Sequence, residues 1–427
     1  MRVMVLSNIF PPHVRGGYEL GVLEVARTFA AAGHDVEVVT STAVGAQRRV
    51  RRADDVATRE VFAPVLAYEP DLADRLQDSA VWSHDRTDAF GGVIPANAVA
   101  LAREIERFRP DRIWMGNPLG LGPVGIFETA LSARVPVIVH LMDDVDRYLL
   151  GYRRPIHWLS RVARLKRGMT AVSCASHVRA MNSVVGEYGA HLVVPNGVDF
   201  AAFPTRAEPL LRGGGPLRLV YFGQVEPMKG IPQLIAGIDA FAASPGSMPF
   251  ELDIIGPAST SYGAELAAEI ASRHLDDRVR VVGRLEKSDL LARLAGYDAA
   301  VLLLKQDEPF AYASLEAPAA GLPVVITRGH AVADAYPSDY PLFVDDRDDA
   351  ELVSSALRWC ASHEHDLPVL GRDLRAHLLR RCDTTTAVNP RYLEILEHAR
   401  AADRPTDVDA LLAGALTVEA HALSINA

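Results

Sequence analysis

Short apolar runs alternate with longer amphipathic segments along most of this chain. Near the start, Arg2–Ser7 predicts a buried strand, Leu20–Ala32 an amphipathic helix, and Asp35–Thr40 a second strand. The same succession begins again at Leu217–Phe222 and continues with a helix that reaches Ala243. Strands that alternate with helices in this way are typical of α/β proteins with parallel sheets.

The length of the chain predicts more than one domain. Its 427 residues are too many for a single compact core, so two domains are expected. We predict an N-terminal domain over residues 1–202 and a second domain over 217–383, joined by a glycine-rich linker at 203–216. A helix is expected over 384–404, and the weakly patterned residues 405–427 are expected to form a tail.

Composition narrows the functional classes. The formal net charge of −10 argues against a dedicated nucleic-acid binder. Cys174, Cys360 and Cys382 are widely spaced and indicate neither a disulfide framework nor a zinc site, which favours a reducing cytoplasm. No apolar run approaches the ~20 residues of a membrane span. The apolar N-terminus runs into Pro11–Pro12, which suits a first strand better than a signal peptide.

Two glutamates mark the strongest candidate for chemistry. Glu308 follows the apolar run Ala299–Leu304, and Glu316 lies eight positions further on in an apolar, helix-permissive segment. Because eight residues are a little over two helical turns, the spacing predicts that both carboxylates lie on one face and point toward one ligand. Gly321 ends this segment, and Val324–Ile326 predicts the next strand. Ligands of such βαβ units bind at the carboxyl ends of the strands, where this loop lies.

Two other turns between strand and helix carry groups that suit an anion. Gly16 and Gly17 precede the first helix, where glycines allow close backbone approach and the free N–H groups favour a diphosphate. Lys229 is one of only four lysines in a chain rich in arginine. A lysine where arginine is the default cation indicates that a compact charge is needed, as in a phosphate clamp. An ordinary turn and an exposed lysine are the structural alternatives.

Together these segments resemble the retaining glycosyltransferases of family 4. The resemblance rests on the two glutamates with Ala317–Val324 after them, on Pro11–Glu19, on the Lys229–Gly230 pair, and on Val193–Asp199, which is similar to the family's crossover between domains. It implies an α/β protein of the GT-B type, with two Rossmann-like doubly wound domains and an interdomain cleft. It also implies that the helix at 384–404 returns to the N-terminal domain.

The resemblance implies the transfer of a sugar from a nucleotide-diphosphate sugar to an acceptor, with retention of anomeric configuration. The N-terminal domain would bind a small-molecule or lipid-linked acceptor, and the second domain would bind the donor. No cofactor is expected besides this co-substrate. Glu316 would bind the ribose, Glu308 would hold the sugar, and Lys229 would stabilise the leaving phosphate. The implied donor-binding set is Gly16, Gly17, Gln224, Lys229, Glu308, Phe310, Ala311 and Glu316.

Two positions depart from the family pattern. Gln224 stands where arginine is usual, so either the donor binds less tightly or another cation compensates. Met142 occupies the position of the family's histidine, whereas His140 lies two residues earlier. Residues two apart face the same side of a strand, which makes His140 a candidate catalytic residue. A packed core histidine, and a site that works without an imidazole, are the alternatives.

Three other segments allow more than one interpretation. Residues 147–167 carry several arginines and no acid, which predicts either a weak membrane-surface contact or, as the preferred reading, a packed helix with a solvated basic face. Gly120–Gly125 matches the dinucleotide fingerprint of dehydrogenases, but Pro123 interrupts it and it does not follow the first strand. Asp144-Val-Asp146 resembles the metal motif of glycosyltransferases with another fold. Nothing else in the sequence supports that fold, so we predict no catalytic metal.

Two other functions are compatible with the same residues. A nucleotide-sugar epimerase of the GT-B fold would share the phosphate and ribose contacts but would need no acceptor. A non-catalytic relative that only binds nucleotide sugars would agree with the departures at Gln224 and Met142. The nucleotide base, the sugar and the acceptor have no motif of their own in this sequence.

Overall fold

The computed structural model describes residues 1–14, 17–42, 49–53, 56–63, 92–116, 118–151, 156–204, 215–245, 248–305, 308, 311–328 and 334–400. Four of the sequence-based expectations therefore lie outside the described residues. They concern Gly16, Phe310, most of the linker at 203–216 and the tail at 405–427.

The chain divides into two compact units, and each contains one sheet. Unit 1 comprises Met1–Val194 and the segment that begins at Asn389, and unit 2 comprises Pro195–Val388. Both sheets are built mainly from parallel strands with helices between them. The α/β class is therefore as predicted from the alternation of strands and helices, and the Rossmann-like organisation of both halves is as the family resemblance implied.

The sheet of unit 1 has eight strands in the order β3-β4-β2-β1-β5-β6-β7-β8. Its neighbouring strands are parallel except for β3 and β4, which form an antiparallel pair at one edge. A purely parallel sheet was expected. These two strands are separated by only residues 54–55, and so short a connection can join only antiparallel strands. The strands are Arg2–Leu6 (β1), Asp35–Ser41 (β2), Arg49–Ala53 (β3), Val56–Phe62 (β4), Arg112–Met115 (β5), Val137–Leu141 (β6), Thr170–Ser173 (β7) and Ala190–Val193 (β8).

Seven helices are described in unit 1, and the last of them comes from the C-terminal part of the chain. They are Gly17–Ala31 (α1), Pro95–Phe108 (α2), Pro123–Ser132 (α3), Val145–Gly151 (α4), Ile156–Arg167 (α5), Ser176–Met181 (α6) and Asn389–His398 (α13). The ring of Tyr392 on α13 packs 5.5 Å from that of Trp114 on β5, and Trp114 also contacts Phe29 of α1. Aromatic contacts therefore join α1, α13 and the sheet into one core.

The sheet of unit 2 has six parallel strands in the order β11-β10-β9-β12-β13-β14. The order reverses between β9 and β12, which are neighbours in space but not in sequence. In open α/β sheets, such a reversal opens a crevice at the carboxyl ends of the strands. The strands are Leu217–Phe222 (β9), Phe250–Ile255 (β10), Val279–Gly283 (β11), Ala299–Leu302 (β12), Val324–Thr327 (β13) and Phe343–Val344 (β14). The helices are Ile231–Ala243 (α7), Thr260–Ser272 (α8), Lys287–Leu294 (α9), Ala313–Ala319 (α10), Ala350–Ser362 (α11) and Leu367–Cys382 (α12).

Unit 2 begins at Pro195, whereas the predicted N-terminal domain extends to residue 202. Val198 forms a parallel bridge with Asp383, and Phe200 is fully buried in the core of unit 2. The guanidinium of Arg375 donates a hydrogen bond to the carbonyl of Phe200 at 3.0 Å. Burial of the Phe200 ring fixes this segment to unit 2, a contact that local sequence patterning does not disclose.

One charged pair lies entirely inside unit 1. Lys166 Nζ donates to Asp146 Oδ1 at 2.5 Å, and both side chains are 0% exposed. The ammonium also donates to the carbonyl oxygens of Asn182 and Gly186, while the second carboxylate oxygen accepts from the N–H of Val185. Burial lowers the pKa of Lys166, although the Asp146 carboxylate opposes that shift. Because both charges are hydrogen-bonded, the pair ties α4 and α5 to the segment that follows α6.

Removing one member of this pair should be costly. In Lys166→Met, Asp146 would remain as a buried carboxylate without its cation, and we expect a loss of about 3–5 kcal/mol in the free energy of unfolding. Urea denaturation measures this loss, with Arg164→Met on the exposed side of the same helix as the control. The double variant Asp146→Leu/Lys166→Met should recover part of the stability. A Lys166→Met protein as stable as the Arg164→Met control would contradict this account.

Candidate functional site

The turn after β9 is held against the end of β12 by close backbone packing. Gly230 has φ +84°, and a Cβ at this position would lie 1.9 Å from the carbonyl oxygen of Leu303. Any other residue would therefore displace one of the two loops. The short 3₁₀ helix Pro227–Lys229 precedes this glycine, so the contact also fixes where Lys229 stands.

Lys229 and Glu308 meet where the strand order reverses. Lys229 Nζ donates to Glu308 Oε1 at 2.7 Å, and the two side chains are 22% and 14% exposed. Lys229 follows β9 and Glu308 follows β12, so the two neighbouring carboxyl ends each supply one partner. The pair is partly buried yet open to solvent, which suits a group that has to exchange partners with a ligand.

Glu316 forms a second pair of the same kind. It lies in the first turn of α10 and accepts a hydrogen bond from Lys287 Nζ. The Glu316 side chain is 15% exposed, whereas that of Lys287 is 61% exposed. The ammonium of Lys287 also lies 5.5 Å from the centre of the Phe203 ring. Each of the two glutamates in the sequence motif is thus bound to its own lysine.

The spacing of the two glutamates had predicted that they share one helical face, but in the structure they do not. The helix of this segment is only Ala313–Ala319, so Glu308 lies outside it, in the loop that precedes it. The N–H of Glu308 donates to the carbonyl of Lys305, just after β12, at 3.1 Å. The two carboxylates are therefore positioned by a loop and a helix, and the helical period of the sequence does not relate them.

The remaining predicted donor residues have simpler surroundings. Gln224 is exposed, and its backbone carbonyl accepts a hydrogen bond from the hydroxyl of Tyr221 at 2.7 Å. The carbonyl of Ala311 accepts from the N–H of Ser314 in the first turn of α10. Gly17 is the first residue of α1 in unit 1. Ala311 thus lies in the loop that carries Glu308, and Gln224 in the loop that carries Lys229.

A polar cluster at the carboxyl ends of β1 and β5 had no counterpart in the sequence analysis. The Tyr18 hydroxyl lies 2.8 Å from Ser7 Oγ and donates to Asn8 Oδ1. The amide of Asn8 donates to the carbonyl of Leu119 at 2.7 Å, which links the loops after the two strands. Burial is the largest influence on Tyr18 and raises the pKa of its hydroxyl, so the group stays neutral and can act as a hydrogen-bond donor. The signal that could have found it is a Ser-Asn pair directly after the central strand.

His140 lies in the core of unit 1. Its side chain is 1% exposed and packs against the rings of Trp114 and Tyr392. Nε2 lies 3.3 Å from the hydroxyl of Tyr392, and burial lowers the pKa of the imidazole to about 3. An imidazole enclosed by these rings cannot reach a substrate unless the core opens. This position argues against the expected catalytic role, and we do not include His140 in the proposed site.

The glycine-rich fingerprint serves packing within unit 1. A Cβ on Gly122 would lie 2.4 Å from the backbone nitrogen of Ile94, and one on Gly125 would lie 2.8 Å from a methyl group of Val93. The space that a dinucleotide would need beside these glycines is therefore filled by the chain itself. The Asp-x-Asp motif has a structural role too, since Asp146 is the buried partner of Lys166.

At least two cations of the described part of the basic segment at 147–167 make internal contacts. Lys166 is buried with Asp146, and Arg161 pairs with Glu128 and lies 5.3 Å from the centre of the Trp158 ring. Val162 and Leu165 form the buried side of α5. These contacts favour a packed helix with a solvated basic face. Arg153 and Arg154 lie outside the described residues.

Neither a metal site nor a membrane-spanning helix is found among the described residues. No three histidine, cysteine, aspartate or glutamate side chains in that part of the chain are grouped so that they could hold a metal ion. Within the same ranges, no helix combines the length and the apolar character needed to cross a bilayer.

Comparison with known protein families gives two matches, which overlap at residues 204–215. The profile described as "Glycosyl transferase 4-like domain" matches residues 16–215, and that described as "Glycosyl transferases group 1" matches residues 204–367. The first covers most of unit 1 and the second covers the strands, loops and lysine–glutamate pairs of unit 2. Both halves of the chain therefore match glycosyltransferase domains.

Proteins similar to this chain include a glycogen synthase, a sucrose-phosphate synthase and the HepE protein. A glycogen synthase of Mycobacterium tuberculosis is 28% identical over 344 residues, which cover 77% of this chain and 78% of that protein. Among solved structures, a sucrose-phosphate synthase of Thermosynechococcus elongatus has a TM-score of 0.71 at 16% identity and covers 93% of this chain and 98% of its own. The HepE protein of Anabaena, in a complex with UDP and glucose, has a TM-score of 0.66 at 17% identity, with 93% of this chain and 99% of that chain covered. These two structures establish the GT-B fold of the chain.

The position of His140 predicts a pH dependence of stability. Its pKa is about 3 in the folded protein, against 6.5 for an ordinary histidine, so between these values the unfolded chain binds a proton that the folded protein does not. Stability should therefore fall as the pH drops from about 7 to 5, and His140 should account for ~2 kcal/mol of that fall. Urea denaturation of His140→Leu at both pH values should show a correspondingly smaller difference.

One control variant and one choice of comparison are needed to assign the effect to His140. His157→Leu removes an exposed imidazole from α5 and tests for a general effect of losing a histidine. Burial also lowers the pKa of His191, which adds its own pH dependence to the stability of the wild-type protein. The contribution of His140 is therefore taken from the difference between His140→Leu and the wild type at each pH. A folded His140→Leu protein that loses its catalytic turnover would show that the imidazole acts in catalysis.

Proposed function

Because the chain belongs to the group 1 glycosyltransferases and has the GT-B fold, we propose that it transfers a sugar from a nucleoside-diphosphate sugar to an acceptor with retention of anomeric configuration. The observation that carries this proposal is the pair of lysine–glutamate contacts at the carboxyl edge of the unit 2 sheet. The presence of UDP and glucose in the similar HepE structure supports a donor of this class.

The charges of the site suit the leaving group. As the bond between the anomeric carbon and the diphosphate breaks, negative charge grows on the phosphate oxygens. Lys229 ends the short 3₁₀ helix that precedes α7, and from there its ammonium can release Glu308 and donate hydrogen bonds to the phosphate. Glu308 then accepts hydrogen bonds from the sugar hydroxyls. A contact made more strongly in the transition state than with the substrate accelerates the reaction.

Retention requires that the acceptor attacks from the face on which the diphosphate departs. In the mechanism we propose, an acceptor oxygen bonds to the anomeric carbon as the carbon–oxygen bond to the diphosphate breaks. The acceptor proton passes to an oxygen of the departing phosphate. This scheme needs no imidazole, which agrees with the burial of His140 in the core of unit 1.

A two-part experiment tests the proposal. Thermal unfolding in the presence of UDP, GDP, ADP or dTDP should show stabilisation by at least one diphosphate, because a ligand that binds the folded state raises its apparent stability. NMR of the product formed from the matching sugar nucleotide should then show the anomeric configuration of the donor. Conversion of the sugar nucleotide without an acceptor would indicate an epimerase, and an inverted product would exclude retention.

Lys229→Ala should lower turnover. The lost ammonium would otherwise stabilise the departing diphosphate, and removal of one such preorganised donor lowers kcat by roughly 10²-fold. Steady-state kinetics measure the effect. Lys305→Ala is the matched control, because it removes a lysine from the loop that carries Glu308 but leaves the Lys229–Glu308 pair in place. Near-normal turnover in Lys229→Ala would place the phosphate clamp elsewhere.

Glu316→Ala should abolish the preference for a ribose. If the carboxylate accepts hydrogen bonds from the 2′- and 3′-hydroxyls, the wild-type protein should bind UDP more tightly than 2′,3′-dideoxy-UDP by about 1.5–3 kcal/mol, and the variant should bind both equally. Calorimetry measures both affinities. Glu286→Ala serves as the control, because it removes an exposed glutamate next to Lys287. A variant that still discriminates between the two nucleotides would overturn the assignment.

A further inference from the structure

The lysines of this chain are few, and most of them are partners of a carboxylate. Among its 44 lysines and arginines, only Lys166, Lys229, Lys287 and Lys305 are lysines. The first three each contact an acid: Asp146, Glu308 and Glu316 respectively. Lys287 had no role in the sequence analysis. Its contact with the proposed ribose carboxylate raises the question of what an ammonium does there.

The local structure around Lys287 does not itself favour a cation. Lys287 is the first residue of α9, where the exposed N–H groups give the helix end a partial positive charge. A lysine at this end of a helix is electrostatically unfavourable. Its side chain is 61% exposed, so the core does not require it either. The contact that accounts for the residue is therefore the one with Glu316.

The formal charges of the two pairs cancel. Lys229 and Lys287 contribute +2 and Glu308 and Glu316 contribute −2, so these four side chains sum to zero. Without Lys287 the sum would be −1, at a site proposed to bind a diphosphate. Gln224, in the loop that carries Lys229, is uncharged, so the charge of Lys287 matters more to an anionic ligand.

Lys287 has two opposing effects on nucleotide binding: it competes with the ribose for Glu316, and it attracts the diphosphate. An exposed ion pair contributes little, so freeing Glu316 from Lys287 changes its availability to a ribose by less than about fivefold. A unit charge ~6 Å from one charge of a diphosphate, at the effective dielectric constant of ~20 near a protein surface, changes the dissociation constant by roughly a hundredfold at low salt. The attraction of the diphosphate therefore exceeds the competition for the carboxylate.

We propose that Lys287 is a second cation of the donor site, which neutralises Glu316 and attracts the diphosphate together with Lys229. This inference rests on the proposed function. It makes Lys287 a determinant of affinity for charged nucleotides, and it assigns no step of bond breaking to this residue.

The test compares a charged with an uncharged ligand. For Lys287→Gln, calorimetry at low salt should show UDP binding at least roughly tenfold weaker than to wild type, with uridine binding tighter by less than about fivefold. If the screen of diphosphates selects ADP, then ADP and adenosine replace this pair. Lys287→Arg should retain most of the affinity for the diphosphate, and the difference between Lys287→Gln and wild type should shrink as salt is added.

Arg284→Gln provides the matched control. It removes an exposed cation from the same loop, three residues before Lys287. It should weaken UDP binding much less than Lys287→Gln does. An equal loss in both variants would reduce the effect to general surface charge and overturn the specific role of Lys287.

Two further outcomes would also decide the matter. Unchanged UDP affinity in Lys287→Gln, or equal weakening of uridine and UDP, would refute the inference, because neither shows an action of the ammonium on the diphosphate. Such results leave the proposed function standing as long as the wild-type protein binds UDP or another diphosphate. Failure of the wild-type protein to bind any of the four diphosphates would refute the proposed function itself.

Discussion

The contact between Gly230 and the carbonyl of Leu303 is the constraint on which the candidate site depends. It presses the loop after β9 against the end of β12, at the place where the order of the strands reverses. A side chain at Gly230 would separate these loops and, with them, Lys229 and Glu308. The chemistry of the site is therefore set by backbone proximity first, and only then by the identity of the charged side chains.

Much of this arrangement could be predicted from the sequence. Alternating strands and helices gave the fold class, and the loops that end β9 and β12 were recognised because turns of this kind are local in sequence. Lys229 and Glu308 were both identified, although they are far apart along the chain. Their direct contact was not, because a pair between two loops depends on the order of strands in the sheet.

The errors have identifiable physical causes. The eight-residue spacing of Glu308 and Glu316 suggested a helical face, but the helix begins only at Ala313. His140 was predicted to be catalytic because it shares a strand face with Met142. The alternation of side chains along a strand shows which residues share a face, but it does not show what packs on that face. Here the helix at Asn389–His398 covers it with Tyr392, from a part of the chain remote in sequence. Lys287 was overlooked because an ion pair across a fold leaves no local pattern.

The scarcity of lysine has a practical consequence for chemistry performed on the native protein. Lys166 is fully enclosed, so amine-reactive reagents can reach at most three lysine side chains and the terminal amine. Two of those three lysines hold the glutamates of the candidate site. Coupling the protein to a surface through its amines would therefore attach it by the groups whose binding is to be measured. Thiol coupling is no easier, since Cys174, Cys360 and Cys382 are all buried. An added terminal tag is the better point of attachment.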